Sequence, residues 1–378
     1  MTPRLTIVIP TYNRPDFLAR ALRYFSAQRV RYPVVIADSS AEAVAQRNAA
    51  TVAGLREILD LTYRRYPESI SVAAKIADAL DAVRSQYAAL SADDDFTVPR
   101  SLEAGCGFLD QHQDYALVHG EAGYFVLESG ATASGRILGI RRYTQTALEQ
   151  PSASARLLAH LQRYATTFYS LHRTEALRAN WQRTAALDLD YRFVELVPSC
   201  LAVLQGKSYR QPMLHIVRQG HATQTSAIGA PAMTDWISTP AWARQYQAVI
   251  RLLAEELSRH ERLDVRQAEA VVQRAWSAYV ACCRRKDVAR AARRRPGSGR
   301  LRAWAARVPS FRRLWNVAKA VRPAGPRAIG LEAWRRRGSV FYEDFRPIDR
   351  VITDCECPPS SSRVAPSRPA TELAGVEP

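Results

Sequence analysis

Four short apolar runs, each followed by a stretch with helical spacing, fill the first 112 residues, and this alternation narrows the fold more than anything else in the chain. Residues 5–9 (LTIVI) form a β-branched run closed by Pro10 and Thr11, as expected of a strand buried on both faces. Pro15 and Asp16 open a segment in which Phe17, Leu18, Ala21, Leu22 and Phe25 recur at helical intervals. A second strand follows at 33–38 (PVVIAD), then a helical stretch at 42–60, a strand in LTYRRYP, a helix at 71–83, a strand at 87–92 and a helix from Pro99 to about His112. The pattern predicts an α/β fold with a mostly parallel sheet and helices on both faces. Ligands of such sheets bind beyond the carboxyl ends of the strands. Thr11, Asp38 and the triplet Asp93, Asp94 and Asp95 all fall on that edge by position.

Beyond Tyr115 the pattern is mixed. Shorter strands are expected in YALVHG, AGYFVLE and GRILGIRRY, a helix near 152–164, a strand near 167–171 and another near 208–217. Helical spacing returns over 240–258 and 265–286, whereas four prolines between 296 and 326 exclude one straight helix there. These shifts suggest a catalytic or binding domain over 1–232, a helical, basic accessory region over 233–350 and a disordered tail over 351–378.

The formal charge of +17 is not spread evenly. Residues 284–337 hold 18 Lys and Arg against two acids, a net of +16, which leaves +1 for the rest of the chain. Basicity therefore belongs to an appendage. Six cysteines without a regular framework fit reduced thiols and a cytoplasmic setting. The apolar run before Pro10 is too short for a signal-peptide core, and no window suggests a membrane span.

Three adjacent aspartates repel one another. Either they form a solvated turn or cap ahead of the helix at Pro99, or a divalent cation relieves them. Hard oxygen ligands suit Mn²⁺ or Mg²⁺, which could hold a diphosphate through their remaining positions. The order LTIVIPTYNRPDFLARAL, VVIADSS, LSADDDFTVP resembles the N-terminal half of family-2 glycosyltransferases with the GT-A fold, over roughly residues 4–230. The resemblance implies a hexosyltransferase using a nucleoside-diphosphate sugar and a metal ion. It places Pro10, Thr11, Tyr12 and Arg14 in the nucleotide loop, with Tyr12 against the base, and Asp38 on the nucleobase or ribose. Lys75 falls near the diphosphate, or is simply a solvated helix lysine. The triplet matches the DxD region, with Asp93 and Asp94 toward the nucleotide and Asp94 and Asp95 toward the metal. Glu195, about eleven residues before Gly206 and flanked by apolar neighbours, matches the catalytic base, with Asp190 and Asp188 as rivals. His221 matches a further metal ligand, and Arg218 could contact phosphate.

Between Arg300 and Arg322, Leu301, Trp304, Val308, Phe311, Leu314, Trp315 and Ala318 interleave with basic residues at helical spacing. Tryptophan beside arginine suits an anionic membrane surface. That agrees with a lipid-linked acceptor in bacterial cell-surface polysaccharide or glycolipid assembly and a peripheral location on the cytoplasmic face of the inner membrane. A basic helical domain packed on the catalytic one is the alternative, with nucleic acid a third partner class. The competing view of the whole chain is a non-catalytic membrane- or nucleic-acid-binding adaptor in which the Asp triplet is only a turn.

Overall fold

The computed structural model describes residues 3–128, 132–143, 145–221, 233–293 and 330–353. Its first part follows the expected alternation: β1 (Leu5–Thr11), α1 (Pro15–Ala27), β2 (Val34–Asp38), α2 (Glu42–Ala53), β3 (Leu61–Arg65), α3 (Val72–Asp81) and β4 (Tyr87–Leu90). The short β5 (Phe96–Thr97) and α4 (Pro99–Gln111) come next. β1 lies parallel between β2 and β4, with Val8 level with Val35 and Leu90. Both faces of these strands are covered, which is why their residues are apolar without alternation. Local signals set the helix starts: Pro15 and Asp16 stand in the first turn of α1, and the Ser71 hydroxyl accepts from Ala74 N at 3.1 Å at the start of α3.

The second half adds β6 (Tyr115–Leu127), β7 (Ile137–Tyr143), α5 (Ala153–Gln162), β8 (Leu171–Arg173), α6 (Thr174–Ala185), α7 (Tyr191–Gln205) and β9 (Lys207–Gly220). Among the described residues the strands form one nine-stranded sheet in the order β3-β2-β1-β4-β8-β6-β9-β5, with β7 on β6. It is parallel from β3 to β4 and mixed beyond, the arrangement expected of a GT-A fold. The runs YALVHG and AGYFVLE are one strand, not two. Gly120, at their junction, lies where β6 bends against β9, and a Cβ there would collide with the Met213 carbonyl oxygen.

Helices α8 (Met233–Trp236), α9 (Pro240–His260) and α10 (Val265–Arg293) share a core with α5 and α7, through residues such as Phe193, Leu253 and Trp276. After a gap in the described residues come α11 (Leu331–Arg335) and α12 (Tyr342–Thr353). Trp334, Phe341, Phe345, Ile348 and Ile352 from this segment enter the core formed by the sheet with α1 and α4. Arg100 pairs with Asp344 at 2.9 Å, and Gly135 N donates to Ile352 O at 2.9 Å. The accessory region expected over 233–350 thus shares cores with the N-terminal part through residues of α8 to α12. Residues 351–353, expected in the tail, belong to α12; the rest of the tail and the Arg300–Arg322 stretch lie outside the described residues. Among those residues no helix is long and apolar enough to cross a membrane.

Candidate active site

The tips of β1, β2 and β4 meet at one edge of the sheet. Asn13, with φ 54°, turns the chain between β1 and α1. Its backbone N donates to Ser40 Oγ at 2.8 Å, and its Oδ1 accepts from Ala41 N at 2.9 Å, which ties the first two crossover loops together. Lys75 reaches the same place from α3. Its Nζ donates to Thr11 O at 2.9 Å and Ser39 Oγ at 2.8 Å, and burial lowers its pKa to about 8. It is not a solvated lysine. Asp38 is fully buried and accepts from Ser40 N, Asn48 and Tyr63, at 2.7, 2.8 and 2.6 Å. Burial opposes its charge, but these hydrogen bonds hold its carboxyl below the usual value. Pro10 sits level with Ala37 inside the sheet, and Tyr12 is half exposed at the rim.

The Asp triplet lies inward, not in a solvated turn: Asp93, Asp94 and Asp95 are 3%, 5% and 2% exposed. Asp93 accepts from Thr11 Oγ1 at 2.7 Å and from Arg14 at 3.3 Å. Asp94 accepts from Arg14 at 3.0 Å and shares a 2.8 Å hydrogen bond with His221 Nε2, whose ring stacks on Phe17. Asp95 accepts from Arg218 Nε and from Gln219 N, both at 3.0 Å. Burial raises Asp93 to about 6 and Asp95 to about 7, with the neighbouring Asp94 charge adding to it. Burial also penalises the Asp94 charge, but His221 and Arg14 outweigh it and leave this carboxyl below its usual value. The charge on Asp94 thus makes ionisation of its two neighbours harder.

Glu195 stands on α7, partly exposed, with Tyr191 OH donating to its Oε1 at 3.0 Å. Burial raises its pKa, opposed by the Tyr191 hydrogen bond and the Arg218 charge. Arg218 therefore acts on both Asp95 and Glu195, linking the triplet to the expected base. Asp190 is engaged otherwise. Its carboxylate caps α7 by accepting from Arg192 N at 2.9 Å and also takes the Trp236 indole N–H. Asp188 is exposed, at φ 45°.

Among the described residues no group of three or more His, Cys, Asp or Glu is arranged to hold a metal ion. Asp94 and His221 nevertheless present a carboxylate oxygen and a ring nitrogen side by side, with Asp95 adjacent. Mg²⁺ is commonly held by one or two carboxylates plus substrate phosphates rather than by an all-protein cage, so this donor set fits Mg²⁺ or Mn²⁺.

Arg20 is a site residue that sequence reasoning missed. Fully buried on α1, it donates to Asp94 O at 2.7 Å, to Gln219 Oε1 and to Ala133 O, with its guanidinium 4.6 Å from the Phe96 ring. Burial lowers its pKa to about 10. The available signal was a basic residue on the apolar face of α1, three positions after Phe17 and four before Tyr24. Tyr169, against Arg218, and Tyr191 gave no such signal.

Residues 6–154 match the glycosyl transferase family 2 model. The resemblance read from the motifs is borne out over this family 2 segment, which contains both loop tips and the whole triplet. An uncharacterized protein of Mycobacterium tuberculosis and one of Mycobacterium bovis are each 33% identical over 118 residues, 29% of this chain. The chain spans about a third of the length of these relatives (32%). Among solved structures, Staphylococcus aureus TarS 1–349 is similar at TM-score 0.47 and 14% identity, covering 74% of this chain and 72% of that one. A mannosyltransferase from Pyrobaculum calidifontis, in complex with GDP-Man and Mn²⁺, is similar at TM-score 0.40 and 14% identity, covering 85% of each chain. At such scores the likeness is loose.

Proposed function

We propose that the protein is a glycosyltransferase that moves a sugar from a nucleoside-diphosphate sugar to an acceptor hydroxyl with inversion at the anomeric carbon. The observation that carries this reading is the buried triplet at the β4 tip, paired with Arg14 and Arg218, with Glu195 within the influence of the same Arg218 charge. The family 2 match over these loops supports it.

In this reading Tyr12 offers an exposed ring to the nucleobase, while Asp38 and Lys75 hold the two loops that frame the nucleotide. Arg14 and Arg218 place positive charge where the leaving diphosphate develops negative charge. Glu195 takes the proton of the acceptor hydroxyl as its oxygen attacks the anomeric carbon. The new C–O bond forms on the face opposite the breaking bond to the diphosphate. Asp94 and His221, with Asp95 beside them, would hold Mn²⁺ or Mg²⁺, which when bound neutralises diphosphate charge. A lipid-linked acceptor in bacterial cell-surface assembly, and a peripheral place on the cytoplasmic membrane face, are supported by the net +16 of residues 284–337.

The test is turnover of a panel of nucleoside-diphosphate sugars with Mn²⁺ or Mg²⁺, read as release of the nucleoside diphosphate. Glu195→Gln is expected to lower kcat by about 10² to 10⁴ while leaving the metal-dependent thermal shift by nucleoside diphosphate in place. A panel that gives neither turnover nor a shift refutes the reading.

A further inference from the structure

A partly enclosed cavity of about 240 Å³ lies among the first half of β6, the segment 145–150 and α5. It shares no lining residue with the Asp triplet, Glu195 or Arg218. His119, on its wall, stands five positions before Tyr124, the β9 partner of which is Arg218; along a strand that is roughly 16 Å. Tyr164 lies between the two sites, its ring edge-on to His160 and its hydroxyl 3.4 Å from the Glu195 carbonyl oxygen.

Five polar side-chain atoms of residues in this lining, each shut off from solvent, have no hydrogen-bond partner among the described residues: Nδ1 of His119, Oε1 of Gln145, Oε1 of Gln150, Nε2 of His160 and Oγ1 of Thr167. Gln145, His160 and Thr167 are each at least nine-tenths buried, at 5%, 3% and 5% exposure. Buried polar groups are almost always paired, so several around one cavity point to a ligand that supplies the missing hydrogen bonds. The Gln145 amide is oriented by its own Nε2, which donates to Thr166 O at 2.9 Å, and this leaves Oε1 as an acceptor. Among the described residues no carboxylate or lysine lines the space, and the one formal charge there, Arg163, is exposed. Burial keeps His160 uncharged, with a pKa of about 4. The chemistry is that of a neutral ligand rich in hydroxyl donors. Leu148 and Ala159 add an apolar strip of the kind that the C–H face of a sugar ring covers. The volume equals about eight waters at liquid density, enough for one six-membered ring and too little for a nucleoside diphosphate.

We propose that this cavity is a second binding site, for one neutral pyranose ring whose hydroxyls donate to the Gln145 and Gln150 oxygens and exchange hydrogen bonds with His160 and Thr167. The site is independent of the transfer reaction proposed above and stands if that reading fails.

The experiment is saturation-transfer NMR with calorimetry on the full chain, using methyl pyranosides of neutral hexoses and no nucleotide. At least one is expected to bind the natural protein and to bind at least about fivefold more weakly in Thr167→Val and Gln145→Leu, while Glu195→Gln keeps full affinity. Thr167→Val is nearly isosteric and guards against a folding defect in Gln145→Leu, with thermal unfolding as the check. Binding by no pyranoside, or binding that both cavity variants leave intact, assigns the cavity to ordered water and overturns the proposal. Binding lost only in Glu195→Gln locates the sugar in the active site and overturns it equally.

Discussion

At the scale of single residues, the site works by crowding charge into a space that excludes water. Three aspartates alternate with Arg14, Arg218 and His221, so each charge depends on its neighbours. Glu195 shares this environment but stands apart on α7, where burial favours its protonated form and Tyr191 and Arg218 oppose that. In the proposed reaction Glu195 must be ionised to act as base, so activity present at neutral pH is expected to be lost as pH falls through its pKa. The acid limb of kcat/KM is therefore expected above the ordinary glutamate value of 4.5, and in Tyr191→Phe, which removes a stabilising hydrogen bond, it moves further up. A pH–rate profile of both proteins checks the order. The triplet, Thr11 and Glu195 were legible as residue types at strand tips and in an apolar frame. What Asp190 does was not: a carboxylate at a helix start reads alike as cap or as base until its partners, here Arg192 N and the Trp236 indole, are seen.

At the scale of elements, the site is held by contacts that cross between segments far apart in sequence. Arg20 on α1 joins the loop after β4, the end of β9 and the segment before β7 through Asp94, Gln219 and Ala133. Arg20→Met keeps the apolar stem and removes the donors, and is expected to destabilise the fold by about 3 kcal/mol and to weaken nucleotide binding. Chemical denaturation and a thermal-shift titration read the two effects; a variant of natural stability and affinity contradicts the role. The strands and helices up to α4, apart from the two-residue β5 and the end of α2 at Ala53 rather than near 60, were legible because their apolar spacing matches their burial. Helix α7 was not, since FVELVPSCLAVL is apolar on nearly every side and carries Pro198 within it. Such a segment has no polar face from which a period can be read.

At the scale of the whole molecule, the chain after the basic stretch returns to the catalytic sheet. Trp334 is fully buried against Phe341, Phe345 and Gly123. Trp334→Ala is expected to cost about 3–5 kcal/mol, measured by denaturation of the full chain; an unchanged midpoint would make the segment an independent appendage after all. Stability should also fall with acid. Burial lowers His119 to about 3 and His160, His172 and His215 to about 4, against 6.5 for a free imidazole. The unfolded chain thus binds protons that the folded one refuses, so stability present above pH 6.5 is lost as pH drops toward 4, at up to about 1.4 kcal/mol per pH unit for each histidine. Denaturation midpoints between pH 7 and 4.5 test this, and a flat profile would count against it.

The sequence by itself determined the parallel half of the sheet, the edge at which its loops meet and the carboxylates placed there, because these depend on the period and order of nearby residues. Only the tertiary structure decided which cations face those carboxylates, that Asp190 caps a helix, and that residues 330–353 belong to the sheet core. Arg218, His221 and the segment 330–353 reach their partners across more than a hundred positions, and no local pattern encodes a partner at that distance.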